Sequence, residues 1–229
     1  VSVKKLVSAP ALFAAAGALL IVGVVLAFWY SPVDASSMGF SQKILYYHAP
    51  ISAAALVAFG VAFVAAIAYL RTQDLKWDRL GFVSIRVGLV FSVLVMATGM
   101  IWGKAAWGVW WAWEPRLTTF LLACFLYVAY WVLRSVVDEE QRRATYAAVF
   151  AIIAFIDVPI TYLSTRFLPE GLHPVVVGPG GGGMEGSMAV SFGICMVGML
   201  LLMAALIRRD YEIELIKDRV TDLKTSLGG

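Results

Sequence analysis

The sequence predicts an all-α integral membrane protein: six transmembrane helices, both termini cytoplasmic, and a short interfacial Trp-rich helix in the second outer loop. Three observations carry this expectation. The 229-residue chain is 61% hydrophobic and only 14% charged, with a mean hydropathy of +0.84, far from an average soluble domain. Six apolar runs are long enough to cross about 30 Å of hydrocarbon. Between them lysine and arginine crowd alternate connections, the pattern that holds basic loops in the cytoplasm.

The runs are Ala11 to Trp29, Ile51 to Leu70, Phe82 to Trp102, Leu117 to Leu133, Thr145 to Ser164 and Met188 to Ile207. Lys4, Lys5, Arg71, Lys76, Arg79, Arg86, Arg134, Arg142, Arg143, Arg208, Arg209, Lys217, Arg219 and Lys224 fall on one side. Lys43, Lys104, Arg116 and Arg166 remain for the other. The chain therefore divides into a six-helix membrane domain over 1–207 and a cytoplasmic tail over 208–229. A net charge of +3 reflects the basic inner surface and gives no support to nucleic-acid binding.

The first run follows two lysines as a signal peptide would, but it is longer than a signal core and lacks a small-x-small exit, so a retained helix is expected. The first outer loop begins as turn-rich coil and becomes amphipathic towards Tyr46, Tyr47 and His48. Pro50 suits the first turn of the second helix, which puts His48 at the outer mouth of that helix. The connection R-T-Q-D-L-K-W-D-R alternates charge and reads as a plain solvated linker. Arg86, a turn into the third helix, is expected to snorkel to the cytoplasmic surface. The inner loop R-S-V-V-D-E-E-Q-R-R is equally plain.

The second outer loop is the unusual one. Trp102 to Thr118 reads W-G-K-A-A-W-G-V-W-W-A-W-E-P-R-L-T and holds five of the eight tryptophans, Trp102, Trp107, Trp110, Trp111 and Trp113. Trp107, Trp110 and Trp111 stand at i, i+3 and i+4, so a short interfacial helix would turn three indoles to one face. Pro115 biases Glu114 towards an extended backbone and can open the next helix at its first turn. The expected product is an aromatic platform edged by Lys104, Glu114 and Arg116, suited to a large flat ligand with a charged rim. The plainer alternative is that these indoles anchor two helix ends at the headgroup level.

In the fifth run Asp157 lies two-thirds of the way along, with Pro159 after it. An acid at that depth costs a few kcal/mol unless it pairs or faces water, which makes it a functional candidate. The alternative is a structural hydrogen bond within a helix loosened by Pro159. The third outer loop carries His173, followed by G-P-G-G-G-G-M-E-G. That glycine run lacks the G-K-[ST] ending of a phosphate loop and reads as linker. Beyond Arg208, Ile213, Ile216, Val220, Leu223 and Leu227 recur at spacings of three and four. This amphipathic helix suits a membrane surface first and a cytoplasmic partner second. Cys124 and Cys195 sit inside apolar runs with no C-x-x-C-H, so they read as small buried thiols and no covalent c-type haem is expected.

The chain has two histidines, and the topology sends both to the outer side, in loops flanking the Trp-rich one. A lone histidine near a helix end is more often a satisfied polar residue than a ligand. Two imidazoles from separate loops beside an aromatic platform can clasp a porphyrin through its iron. Indoles would pack on the ring, while Arg116 and Lys104 are candidates for its propionates. For Lys104 a phospholipid phosphate is the preferred partner.

W-G-V-W-W-A-W-E-P-R-L-T resembles the signature of the tryptophan-rich WWD haem-handling proteins, and among them the CcmC family, haem exporter protein C. The likeness extends to I-L-Y-Y-H-A-P, to D-V-P-I-T-Y-L-S-T-R-F-L-P-E-G-L-H-P and to the six-span topology, hence to nearly the whole chain. It implies a protein of the bacterial cytoplasmic membrane that holds haem b non-covalently at the outer, periplasmic face. From there haem passes to the haem chaperone CcmE, in an ABC-type complex with CcmA, CcmB and CcmD. It also implies that His48 and His173 are the axial ligands. The Trp motif, here Trp107, Gly108, Trp110, Trp111, Trp113, Glu114, Pro115, Arg116, Leu117 and Thr118, would contact haem and chaperone. The family commonly has Asp where this chain has Glu114, one methylene longer.

Three functions are compatible with these residues. Haem presentation leads, and since it asks no covalent chemistry of the chain, no enzymatic activity is expected. An electron-transfer cytochrome b would need histidines at more than one depth. A transport subunit moving haem or another small molecule, with Asp157 as a polar waypoint, would need an energy source from a partner. Cytochrome c synthase membrane proteins share a similar Trp motif but are larger and richer in histidine.

Overall fold

The computed structural model describes residues 8–33, 39–167, 172 and 184–228. Among the described residues seven α-helices follow one another: α1 (Ala9–Val25), α2 (Leu45–Thr72), α3 (Leu75–Trp107), α4 (Pro115–Val136), α5 (Glu140–Phe155), α6 (Asp157–Phe167) and α7 (Gly186–Gly228). Among the described residues there is no strand. Six helical segments of the described residues are long and apolar enough to span a membrane, α5 and α6 supplying one of them together. The chain is a multi-pass membrane protein.

Each helix boundary has a local cause. Pro10 sits in the first turn of α1, and α1 runs on into a π-helical turn, Leu26–Tyr30. A 3₁₀ segment, Gly39–Ile44, leads directly into α2. Pro50 therefore lies inside α2 rather than in its opening turn. The lost bond is the one Pro50 would have made back to the Tyr46 carbonyl, a single interruption that the helix absorbs. His48 consequently belongs to the helix, close to its end, and not to a loop. Gln73, at φ 55°, ends α2 by donating its N–H to the Tyr69 carbonyl at 2.7 Å. Asp74 caps α3 through its side chain, accepting from Lys76 N.

The spans outrun the apolar stretches that mark them. With 33 residues, α3 is roughly 50 Å long at about 1.5 Å per residue, well beyond about 30 Å of hydrocarbon. The surplus turns at its start carry charge, and that charge is paired across helices. Arg134 of α4 grips Asp78 of α3 through both guanidinium nitrogens, at 2.5 and 3.0 Å. Arg86 donates to Asp210 at 2.6 Å and to Glu214 at 2.9 Å, both on α7. Arg79 pairs with Asp218. The connection that reads as a plain linker is thus mostly helix, and Arg86 does not snorkel alone. Its partners sit 124 and 128 residues away, beyond what a local reading of charge can reach.

The same pairs hold α7 upright. It runs through Arg208 without a break to Gly228, with its acids at 210, 214 and 218 turned to α3. Ile216, Val220, Leu223 and Leu227 are exposed along the tail. The tail is helical and amphipathic, as its spacing requires.

In the bundle α2 is central, packing on α3, α5 and α7, while α1 lies along α7 and α4 along α5 and α6. Small residues make this possible. Ala54, Ala55, Ala58, Ala62, Ala65 and Ala66 of α2 are all buried, giving the close backbone approach that dispersion-driven packing in a bilayer needs. Gly88 of α3 accommodates the Phe59 ring, whose nearest atom would stand 2.6 Å from an added Cβ. Phe59 in turn stacks on Tyr127 of α4 at 3.7 Å between centroids.

The fifth span bends where the sequence places Pro159. The Ile156 N–H turns back to Ile153 at 3.1 Å, and Asp157 opens α6 as a separate helix. Missing its own N–H, Pro159 is tolerated in this first turn.

Candidate functional site

At the end of the bundle that carries the Trp-rich loop, α2, α3, α4 and α6 part to leave a cavity of about 630 Å³, counting the portion continuous with the outside. His48 lines it from α2, Gly99 and Gly103 from α3, and Thr161 and Tyr162 from α6. The Trp-rich loop contributes Trp107, Trp110 and Trp111, and the start of α4 contributes Arg116 and Leu117.

The loop is built differently from a surface helix. α3 continues to Trp107 and stops because Gly108 adopts φ 75°, a left-handed conformation that costs glycine nothing. From there to Glu114 the chain is irregular. The expected interfacial helix is absent, and Trp110 and Trp111 lie in coil. Gly103 lets this coil fold back, since a Cβ there would stand 3.1 Å from the Val109 carbonyl oxygen. Lys104 fastens the return by donating to the Gly108 carbonyl at 2.9 Å. One of its three ammonium donors is thereby engaged within the loop.

The indoles therefore do not share one face. Trp102 is buried and lies stacked on Trp107 at 6.4 Å. Trp111 points inward, and its Nε1 is buried without an acceptor among the described residues, as is that of Trp102. Trp110 and Trp113 remain 56% and 76% exposed. Trp113 lies outside the cavity and meets Trp111 edge-on at 5.6 Å. One part of the motif forms a wall and the other a rim open to the surroundings.

Glu114 and Pro115 behave as their order dictates. Glu114 is extended (φ −84°, ψ 161°), and Pro115 opens α4 in its first turn. Glu114 is 8% exposed and its carboxylate does not cap α4. Instead its Oε2 accepts the backbone N–H of Leu172 at 2.6 Å. Leu172 is the residue before His173, and His173 itself lies outside the described residues, as does the glycine run that follows. Gly108, Trp113, Glu114, Pro115 and Thr118 are not among the cavity-lining residues; the first four shape the loop and Thr118 belongs to α4.

His48 is held by α3. Its Nδ1 is 2.9 Å from Thr98 Oγ1, and its ring meets Trp102 edge-on at 5.5 Å. Asp157 stands behind the cavity rather than in its wall. It is buried and accepts from Thr161 Oγ1 at 3.3 Å, one turn before the point where Thr161 reaches the lining. The bond stays within α6 and runs from side chain to side chain.

A family model described as CcmC, heme exporter protein C, matches residues 3–226. The chain belongs to the heme exporter protein C family. The heme exporter protein C of Haemophilus influenzae is 31% identical over 210 residues, covering 87% of this chain and 81% of the relative. That of Rhodobacter capsulatus is 27% identical, covering 72% and 67%. That of Escherichia coli K12 is 31% identical, covering 69% and 64%.

The Trp-rich motif and His48 make one wall of this cavity, and helix packing supplies the others. Ser52, Gly99, Gly103, Thr161 and Tyr162 of the lining have no role legible in the sequence, nor has Thr98, which stands outside the lining and against His48. A signal was available for Thr98, which stands four residues before Trp102 and so shares its helix face. For Thr161 and Tyr162 the signal was their place one turn past Asp157. Neither spacing says which other helix that face will meet.

Proposed function

We propose that this protein binds haem b non-covalently in the cavity between α2, α3, α4 and α6 and presents it for cytochrome c maturation. One observation carries the reading: His48, the indoles of Trp107, Trp110 and Trp111, and Arg116 line one cavity. Imidazole supplies an axial iron ligand, the indoles an aromatic wall, and Arg116 a cation for a propionate. The buried Trp111 Nε1 adds a neutral donor that a carboxylate can satisfy, a role the engaged Lys104 is less suited to fill.

His173 is the second axial ligand in this proposal, brought from the opposite loop. The Glu114 bond to Leu172 supports it, since it ties the residue before His173 to the Trp-rich loop. Trp110 and Trp113, exposed at the rim, are the surface on which a chaperone such as CcmE would receive haem. CcmA, CcmB and CcmD are the proposed companions in an ABC-type complex, and the chain itself performs no covalent chemistry. The cavity end faces the periplasm and the tail over 208–229 extends into the cytoplasm in this proposal, which the distribution of lysine and arginine supports.

The test is an absorption spectrum. Purified protein loaded with haem should lose haem or shift its Soret band when His48→Ala or His173→Ala is introduced. A double variant with unchanged haem content and an unchanged spectrum overturns the ligand assignment.

A further inference from the structure

Thr98 is placed to decide which nitrogen of His48 carries a proton. Its Oγ1 lies 2.7 Å from the Leu94 carbonyl oxygen and 3.3 Å from that of Val95. Carbonyl oxygens only accept, so a bond to either one uses the single hydroxyl hydrogen, the usual back-bond of threonine in a helix. The same Oγ1 stands 2.9 Å from His48 Nδ1. With its hydrogen spent, the hydroxyl can meet the ring only as an acceptor. Nδ1 must then be the protonated nitrogen, and in a neutral imidazole the lone pair is left on Nε2.

Two neighbours of Thr98 fix the ring plane. Trp102, one turn on, is 5% exposed and meets the imidazole at 68°. Gly99 offers the ring a bare backbone, for a Cβ there would lie 3.0 Å from His48 Cε1. Acceptor, clearance and packing wall thus come from a single face of α3.

We propose that Thr98 is the positioning residue of the axial histidine: it locks His48 as the Nδ1–H tautomer and aims Nε2 at the iron. The proposal rests on the reading of His48 as a haem ligand. A hydrogen bond to the distal ring nitrogen orients a ligating imidazole and raises the basicity of the other nitrogen, and losing such a partner costs ten- to a hundredfold in affinity in metal sites generally. A neutral hydroxyl acceptor gives this ligand less anionic character than a carboxylate partner would.

The experiment has two arms. With His173→Ala as background, His48 is the sole histidine, and nitrogen-15 NMR of the apo protein in detergent at about pH 8, above the ordinary histidine range, reads its tautomer directly. The Nδ1–H form is expected with Thr98 and with Thr98→Ser, and its loss with Thr98→Val. Thr98→Ala supplies the same comparison should the valine variant not fold. In the second arm, hemin is titrated into the full chain with both histidines present. Thr98→Val should bind about ten- to a hundredfold more weakly, and Thr98→Ser should stay near wild type. An unchanged tautomer in Thr98→Val overturns the lock, and a changed tautomer with unchanged hemin affinity overturns its role in ligation. If instead His48→Ala leaves the hemin spectrum intact, the ligand reading itself fails, and the tautomer arm distinguishes that failure from a failure of the lock.

Discussion

Glu114 Oε2 accepts the backbone N–H of Leu172 at 2.6 Å, joining two loops 58 residues apart. The position is the N-cap of α4, where a carboxylate ordinarily satisfies the amides of its own helix. Here the acid reaches outward. Its exposure of 8% makes the bond a partly desolvated, charge-assisted one. Removing it with Glu114→Ala should cost about 1.5–3 kcal/mol locally. Amide exchange at Leu172, followed by mass spectrometry, should quicken about ten- to a hundredfold or more. Glu114→Asp retains the charge and loses a methylene of reach, so intermediate protection is expected. Equal exchange in all three proteins would show that the bond does not hold the loop.

Gly99→Ala should separate site geometry from stability. Alanine favours a helix over glycine by up to about 1 kcal/mol, so thermal unfolding in detergent should be unchanged or slightly raised. The new methyl, 3.0 Å from His48 Cε1, nevertheless displaces the ring. A shifted hemin spectrum at preserved stability is the expected result. An identical spectrum would mean that the imidazole yields without moving its ligating nitrogen.

The Asp78–Arg134 pair should prove costly to break and cheap to replace. Both side chains are little exposed, 11% and 12%. Loss of one partner leaves the other charge stranded, an effect of about 3–5 kcal/mol, whereas replacing both with apolar groups is often neutral. Asp78→Leu and Arg134→Met should each lower the unfolding temperature, and the double variant should recover most of the loss. Additive losses in that double-mutant cycle would remove the pair from the list of contacts that join α3 to α4.

Gly88→Ala should be destabilising despite its better helix propensity. The added Cβ falls 2.6 Å from Phe59 Cε1, and Phe59 cannot retreat freely because it is stacked on Tyr127 at 3.7 Å. Overpacking of this kind costs about 1–3 kcal/mol. A companion Phe59→Leu substitution should relieve it; if Gly88→Ala alone melts like the parent, α2 and α3 separate more easily than their packing implies.

How much of this was legible beforehand depends on the range of the cause. Hydrophobic runs and prolines act within a few residues, and the six spans, the start of α4 at Pro115 and the break near Pro159 follow from them directly. The Trp-rich loop shows where local reasoning ends. A spacing of i, i+3, i+4 permits a helix over Trp107, Trp110 and Trp111, yet Gly108 at φ 75° stops it, because Lys104 and Gly103 draw the chain back over α3. The charges of α3 show the same limit. Arg86 and Arg79 read as surface residues until α7 brings Asp210, Glu214 and Asp218 alongside.

By itself the sequence determined the environment, the number of apolar runs long enough to cross, and the concentration of indoles and His48 near one end of the bundle, since all of these follow from composition and short spacing; the family came from the likeness of its motifs to known ones. Only the tertiary structure decided that α3 grips His48 through Thr98, that α6 closes the cavity with Thr161 and Tyr162, and that Glu114 accepts the N–H of Leu172. Each of those contacts joins segments far apart in the chain. Their partners are selected by how helices pack, which no local pattern encodes.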